Sequence, residues 1–348
     1  MALTLLQMAQ AACANAPLAQ PSSIFGSTDQ TAQLILALAN LAGNELARRP
    51  PGGWVDMIRE YDFQTKALAA QTGSIANTGN SAVITGLTGI QEVTPNLWIA
   101  SGTGIPNNAV VRTVTPPVTT TGQVPTTVTL SVQSSVTGTG SFAFGQAMYP
   151  LPSDFQRPID NTFWDRSRFW SMRGPQSPQQ WQLYKSSVIG RAAIQRRYRF
   201  LSIWTPQGAG IGSSGSGTGL FGGNLASFQK YISIDPVPFD NGANLVFEYV
   251  SNGWCMSPAG TPQSSWESDS DVMISPSLEY LMQLSLNWRL LRRLGLSYSE
   301  ELNEYETQVD KAMAHDGGAA ILDLTPNNNL SLLGPWNLPE TGYGNVIN

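Results

Sequence analysis

The stretch 275–317 constrains the fold of this chain more than any other. Ser275-Pro276 places a good N-cap before a proline at the first helical position, where the missing N–H costs nothing. No breaker then interrupts Leu278, Leu281, Met282, Leu284, Leu286, Trp288, Leu290, Leu291 and Leu294. At about 100° per residue these positions cover nearly the whole circumference, and a helix apolar all round must be buried all round. It belongs inside a bundle, or it also meets a neighbouring subunit, for which Leu284, Trp288 and Leu291 are the candidate contacts. Gly295 is placed to end it, and Ser297-Tyr298-Ser299-Glu300 fits a capping box opening a second helix. There Leu302, Tyr305, Val309 and Met313 make one stripe, while Glu301, Glu304, Glu306 and Asp310 fill the other face. The pair predicts a helical hairpin, and the hairpin needs a partner.

The other end of the chain supplies one. Thr4-Leu5-Leu6-Gln7 is another capping box, and Leu5, Met8, Ala12 and Cys13 predict a short helix ending before Pro17. Ser27-Thr28 opens a longer helix, with Leu34, Leu38, Leu41 and Glu45 in step, stopped by Arg48-Arg49-Pro50-Pro51. Trp54 to Glu60 reads as one or two further helical turns. From about Phe63 the period changes. Runs such as Ser81-Ala82-Val83-Ile84, Leu97-Trp98-Ile99-Ala100, Val110 to Val114, Val128 to Val132 and Ser141 to Phe144 are separated by Gly, Pro, Asn and Thr. Short strands at this spacing predict a small β-sandwich or barrel, with Trp98 among its exposed aromatics. Further strand patterns cover Arg197 to Leu201, Tyr231 to Ile234 and Leu245 to Val250, and a Gly/Ser loop occupies 207–224. The expected fold class is α+β: N-terminal helices in 1–73, an inserted β-module in 74–145, a β-rich section in 146–274, the completing hairpin in 275–317 and an extended arm in 318–348. Both chain ends then make one helical bundle.

Charge narrows the function classes. Only 12% of residues are charged, about half the usual share, so small neutral polar groups must cover the surface, as suits permanent assemblies. A net charge of −5 argues against an electrostatic nucleic-acid binder, although arginines cluster at Arg191, Arg196, Arg197 and Arg199 and at Arg289, Arg292 and Arg293. Cys13 and Cys255 fit no metal motif or disulfide framework and read as buried thiols. The start has no charged leader region, and no uncharged run is apolar enough over the length needed to span a membrane.

No catalytic, cofactor or metal constellation is expected. Gly208-Ala209-Gly210-Ile211-Gly212 lacks the lysine and following helix of a phosphate loop. The single histidine, His315, sits at a helix end, where a cation is favourable. Glu267, Asp269 and Asp271 are paired carboxylates of a glycosidase type, read more simply as a solvated acidic loop before a helix N-terminus. Arg157, Arg166, Arg168 and Arg173 alternate with Phe163, Trp164, Phe169 and Trp170. Such a run stacks single-stranded bases or forms a protein interface. The negative net charge favours the interface, with Trp164, Arg166 and Arg168 as its residues.

The order of elements carries a resemblance. Leu5 to Ala16, Asp29 to Arg49 with Trp54, Leu151-Pro152-Ser153-Asp154-Phe155, Asn161 to Arg166, Gly174 to Trp181, Ile234 to Pro238, Phe247 to Ser251 with Trp254, Ser268 to Val272, and Leu286-Asn287-Trp288-Arg289 through to Tyr305 follow in sequence. The series resembles the head-to-tail adaptor, or head-completion, family of short-tailed phages of the P22 type, outside 74–145 and about 207–224. The resemblance implies a virion protein at the capsid vertex, in a ring of about twelve copies of itself. Such a ring sits between the portal protein and a tail nozzle or tube and passes double-stranded DNA non-specifically, with no cofactor and no membrane. The module 74–145 would contact fibres or capsid. In the arm, Leu330, Leu332, Leu333, Trp336 and Leu338 are single apolar anchors between prolines, suited to docking on the portal. A receptor- or glycan-binding tail component is the alternative, and a cell-wall hydrolase a third.

Overall fold

A computed structural model describes residues 3–50, 53–115, 126–186, 195–205 and 227–316. It is α+β, with five α-helices among the described residues and several antiparallel sheets. Helix α1 (Leu5–Asn15) starts from a formed capping box: the Thr4 hydroxyl accepts from the Gln7 N–H and the Gln7 side chain from the Thr4 N–H. Helix α2 (Gln30–Arg48) is capped by the Asp29 carboxylate, which accepts from the Ala32 N–H, rather than by Ser27 or Thr28. The helical turns expected after Trp54 shrink to one 3₁₀ turn at Val55–Met57, and strand β1 (Ile58–Gln64) follows at once.

Six strands close into an antiparallel barrel: β2 (Ala67–Thr78), β3 (Ser81–Thr85), β4 (Trp98–Gly102), β5 (Ala109–Thr115), β6 (Thr127–Leu130) and β7 (Gly138–Gln146). Their spatial order is β2-β3-β6-β5-β4-β7. A barrel this small is filled by its own side chains, here Ile75, Ile84, Val111, Val128, Phe142 and Phe144. Trp98 belongs to that filling and is 2% exposed, which corrects its reading as a surface aromatic. The barrel enters and leaves the body side by side, because the Gln146 N–H donates to the Lys66 carbonyl at 2.9 Å. Gly145 permits the closest approach: a Cβ there would lie 2.5 Å from the Pro238 carbonyl oxygen.

The body is built from β8 (Met148–Pro150), β9 (Phe155–Pro158), β10 (Trp164–Asp165), β11 (Trp170–Ser171), helix α3 (Pro178–Ser186), β12 (Arg197–Thr205), β13 (Ser227–Asp235) and β14 (Asn244–Ser251). Strand β14 pairs with β1, β9 and β10, and β13 pairs with β8 and β12. An aromatic core joins the two sheets, with Phe163 stacked against Tyr198 at 3.9 Å and Phe247 at 4.6 Å.

Three two-residue strands, β15 (Cys255–Met256), β16 (Pro262–Gln263) and β17 (Val272–Met273), lead into α4 (Pro276–Arg293) and α5 (Ser299–His315). Helix α4 packs on α1, α2 and α5. Leu5, Met8, Ile35, Leu46, Met282, Leu286 and Tyr305 share one core with both cysteines. Trp288 and Leu291 are each 7% exposed, and Leu284 packs against the same core. The chain's own fold thus covers Trp288 and Leu291, while Leu284 is partly buried and Leu294, at the end of α4, is 41% exposed. The capping box expected at Ser297–Glu300 does not form; Tyr298 stands at the N-cap position without a side-chain bond. Gly43 in α2 exists for packing, since a Cβ would come within 2.4 Å of the Trp254 ring. Glu45 ties the helices together: Arg289 of α4 and Arg49 both donate to it, and Arg49 reaches Glu306 of α5 at 2.6 Å. No described helix is long and apolar enough to cross a membrane.

Candidate functional site: the aromatic hairpin

Of the residues singled out in the sequence, Trp164, Arg166 and Arg168 meet on the β10–β11 hairpin. Of Leu284, Trp288 and Leu291 on α4, the last two are buried and Leu284 is partly buried against the helical core. Leu330, Leu332, Leu333, Trp336 and Leu338 fall outside the described residues, as does the 207–224 loop.

Strand alternation explains the hairpin. Phe163 and Asp165 point inward and are buried, while Trp164 and Arg166 point outward. The turn is made by Asp165, whose Oδ1 accepts from the N–H groups of Ser167 and Arg168 at 3.1 Å each. The Arg166 N–H donates to the Asn244 carbonyl at 2.9 Å, and the Ser167 hydroxyl oxygen accepts from the Asn244 N–H at 2.8 Å. At the tip, Phe169 has a left-handed backbone (φ 57°) and is 81% exposed. Trp164 and Trp170 are also exposed.

The arginines of the hairpin are already paired. Arg166 forks onto Glu60 with bonds of 3.0 and 2.7 Å, and Arg168 donates to Asp240. Phe169 stands between two open cavities. One, of about 720 Å³, is lined by Glu60, Trp164, Arg166 and Glu248 among others. The second, of about 630 Å³, is lined by Arg168, Trp170, Arg196, Pro236, Pro238 and Asp240 among others. Burial pushes the Arg196 guanidinium down from its ordinary value, and the neighbouring Asp165 pulls it back up. Arg197, beside it in sequence, stacks on Tyr184 at 3.8 Å and faces Asp235 at 3.7 Å. Of that arginine cluster, Arg196 is buried beside Asp165 and Arg197 is engaged by Tyr184 and Asp235.

Of the carboxylates read as a solvated acidic loop, Glu267 is exposed, but Asp269 and Asp271 are fastened down. Asp271 is buried, and its Oδ2 accepts from the N–H groups of Glu267 and Ser268 at 2.7 and 2.8 Å. Asp269 accepts from the Ser23 hydroxyl and from the N–H groups of Ile24 and Phe25. The Asp269 carboxylate thus holds residues 23–25, and the backbone carbonyls of Asp271 and Asp269 accept from the Leu5 and Leu6 N–H groups at the start of α1. Burial also raises both thiols, that of Cys255 to about 12.

No protein-family model matches this chain, and neither a curated protein nor a solved structure matches it.

Proposed function

We propose that this chain is a virion structural protein, a head-to-tail adaptor that sits as a ring between portal and tail and lines the path of the leaving DNA. The observation that carries the reading is the hairpin: three exposed aromatic rings at one tip, with Arg166 and Arg168 neutralised by Glu60 and Asp240. Phosphate binding draws on unpaired Lys and Arg, whereas aromatic side chains with paired arginine fit a protein contact. The ordered series of sequence segments gives that contact its setting in a phage vertex. In this reading the two chain ends form the ring's helical bundle, the barrel faces outward to fibres or capsid, and residues 318–348 form an extended arm to the portal.

The test is imaging of the purified protein mixed with portal rings. Rings of this chain seated on the portal are expected, and removal of residues 324–348 should abolish seating while leaving the circular dichroism spectrum unchanged. Trp336→Ala alone should cost about 2 kcal/mol of portal affinity, as for a buried tryptophan anchor. A folded full-length protein that never associates with portals would remove the reading. The glycan alternative drew on the β-module and on exposed aromatics such as Trp98, and the burial of that ring removes the second of these supports.

A further inference from the structure

The outward face of strands β1, β14 and β10 carries one carboxylate more than its arginine can serve. Glu60 and Glu248 stand directly opposite each other on β1 and β14, so their side chains share that face, and like charges in this relation repel. Arg166 settles half of the conflict by forking onto Glu60 at 3.0 and 2.7 Å. Glu248 is exposed and makes no ion pair or side-chain hydrogen bond among the described residues. All three groups line the cavity of about 720 Å³, two carboxylates against one guanidinium, a net charge of −1. Asp62, opposite Val246 on the same face, adds a further negative charge. Arg157 on β9 is exposed, but it does not line the cavity. The cavity also has an aromatic wall, Trp164 and Phe169, both exposed. Trp164 stands opposite Val246, and Glu248 follows two residues along β14, which makes the two diagonal neighbours at about 7–8 Å. A group in the cavity therefore meets an open carboxylate and an indole together. The volume falls within the range of about 300–1,000 Å³ typical of ligand sites.

We propose that this cavity is a binding site for a guanidinium group, forked onto Glu248 and stacked on Trp164. The Arg166 bridge to Glu60 is the pattern for it, on the same face and one strand away. Guanidinium is the cation that pairs with a carboxylate in two parallel bonds and also stacks on an aromatic ring. An ammonium brings the charge without the flat face. A neutral group leaves the carboxylate uncompensated, and an anion is repelled. A free guanidinium compound and an arginine on a second copy of this chain offer the same chemistry. The second source has candidates, since Arg48, Arg292 and Arg293 are exposed and form no ion pair among the described residues.

The probe is Nα-acetylargininamide, titrated calorimetrically into the full chain at constant low ionic strength. The lysine analogue and the citrulline analogue, a neutral isostere, are the comparisons. Saturable binding of the arginine compound is expected, with the lysine compound weaker and the citrulline compound silent. Glu248→Gln should weaken binding about tenfold or more, the loss of a charge-assisted bond. That position is exposed, and the change also relieves the repulsion with Glu60, so the variant keeps its fold. Trp164→Leu should weaken binding several-fold. Arg166→Met removes the competing guanidinium, opens Glu60 as well and should tighten binding, an effect that a purely structural carboxylate pair does not produce. Absence of saturable binding, lysine or citrulline compounds binding as strongly, unchanged binding in Glu248→Gln, or weaker binding in Arg166→Met would each overturn the proposal. Once binding is seen, sedimentation at saturating probe separates the sources, and both results uphold the site. Loss of self-association assigns the natural occupant to an arginine of a second copy, and an unchanged state assigns it to a free guanidinium compound. The site stands on this geometry and not on the adaptor reading. Seating on portals is read separately, so failure of one idea leaves the other standing.

Discussion

Phe169 combines two costs at one position: a left-handed backbone and an almost fully solvated ring. An L-residue in that region costs about 1–2 kcal/mol, and a hairpin tip would normally place Gly or Asn there. Replacement by glycine removes the backbone cost but adds about 0.4–1 kcal/mol of unfolded-chain entropy. Phe169→Gly should therefore stabilise the isolated protein by about 0.5–1 kcal/mol, read from the urea midpoint at constant m-value, and should weaken its association with partners. A destabilised variant would mean that the ring packs on its own hairpin and is not held out for a partner. The sequence shows the aromatic and arginine residues of this run but not their division. Phe163 disappears into a stack with Tyr198 and Phe247 while Trp164 beside it faces out, and that depends on β14, which is distant in sequence.

The same contrast between local and distant partners governs whole elements. Helices α1 and α4 were legible because their caps and apolar stripes lie within a few residues of each other. Strand β1 was not, because its seven residues become a strand only by pairing with β14, from Ile58 opposite Val250 to Gln64 opposite Asn244. Helix α3 buries a single large residue, Trp181, and so has no stripe to read. The acidic loop looked solvated because its donors come from Ser23, Ile24 and Phe25, at the far end of the chain. That loop gives a pH prediction. Burial raises the Asp269 carboxyl, but the bonds from Ser23, Phe25 and Ile24 together outweigh it and hold the group below its ordinary value. A depressed folded-state value means that the bound carboxylate stabilises fully above the unfolded pKa of about 3.9 and is lost as pH falls through the folded value. Asp269→Asn should be less stable than the parent at pH 7, and the gap should narrow below about pH 4. Urea unfolding at both pH values measures it, and a gap that stays constant into acid would show that Asp269 is not held down by these bonds.

At the scale of the molecule, the barrel is joined to the body by two adjacent strands of chain. Lys66 and Gln146 are bonded to each other, so residues 67–146 can be excised and the ends joined by a short linker without spanning a gap. The barrel's apolar filling is largely its own, and closure leaves no open strand edge. Its contacts with the body include the Ala147 and Met148 N–H groups donating to the Leu97 carbonyl and the close approach of Gly145 to Pro238. Tyr231 of β13 packs against the barrel core. The Tyr149 hydroxyl accepts from the Lys66 N–H at 3.1 Å and donates to the Gln146 carbonyl at 3.0 Å. The Asn108 amide donates to the Lys185 carbonyl at 3.4 Å. Exposing one large side chain costs about 1.5–3 kcal/mol, so the excised protein should lose about that much stability and keep its helical circular dichroism signal. The isolated 67–146 fragment should unfold cooperatively by itself. The core shared by α1, α2, α4 and α5 closes on Trp254, Trp266 and the Glu45 network, all contributed by segments outside 67–146. Loss of the helical signal on excision would mean that the barrel is part of the body's folding unit, and a partner contact through the barrel would then have to act on the body as well.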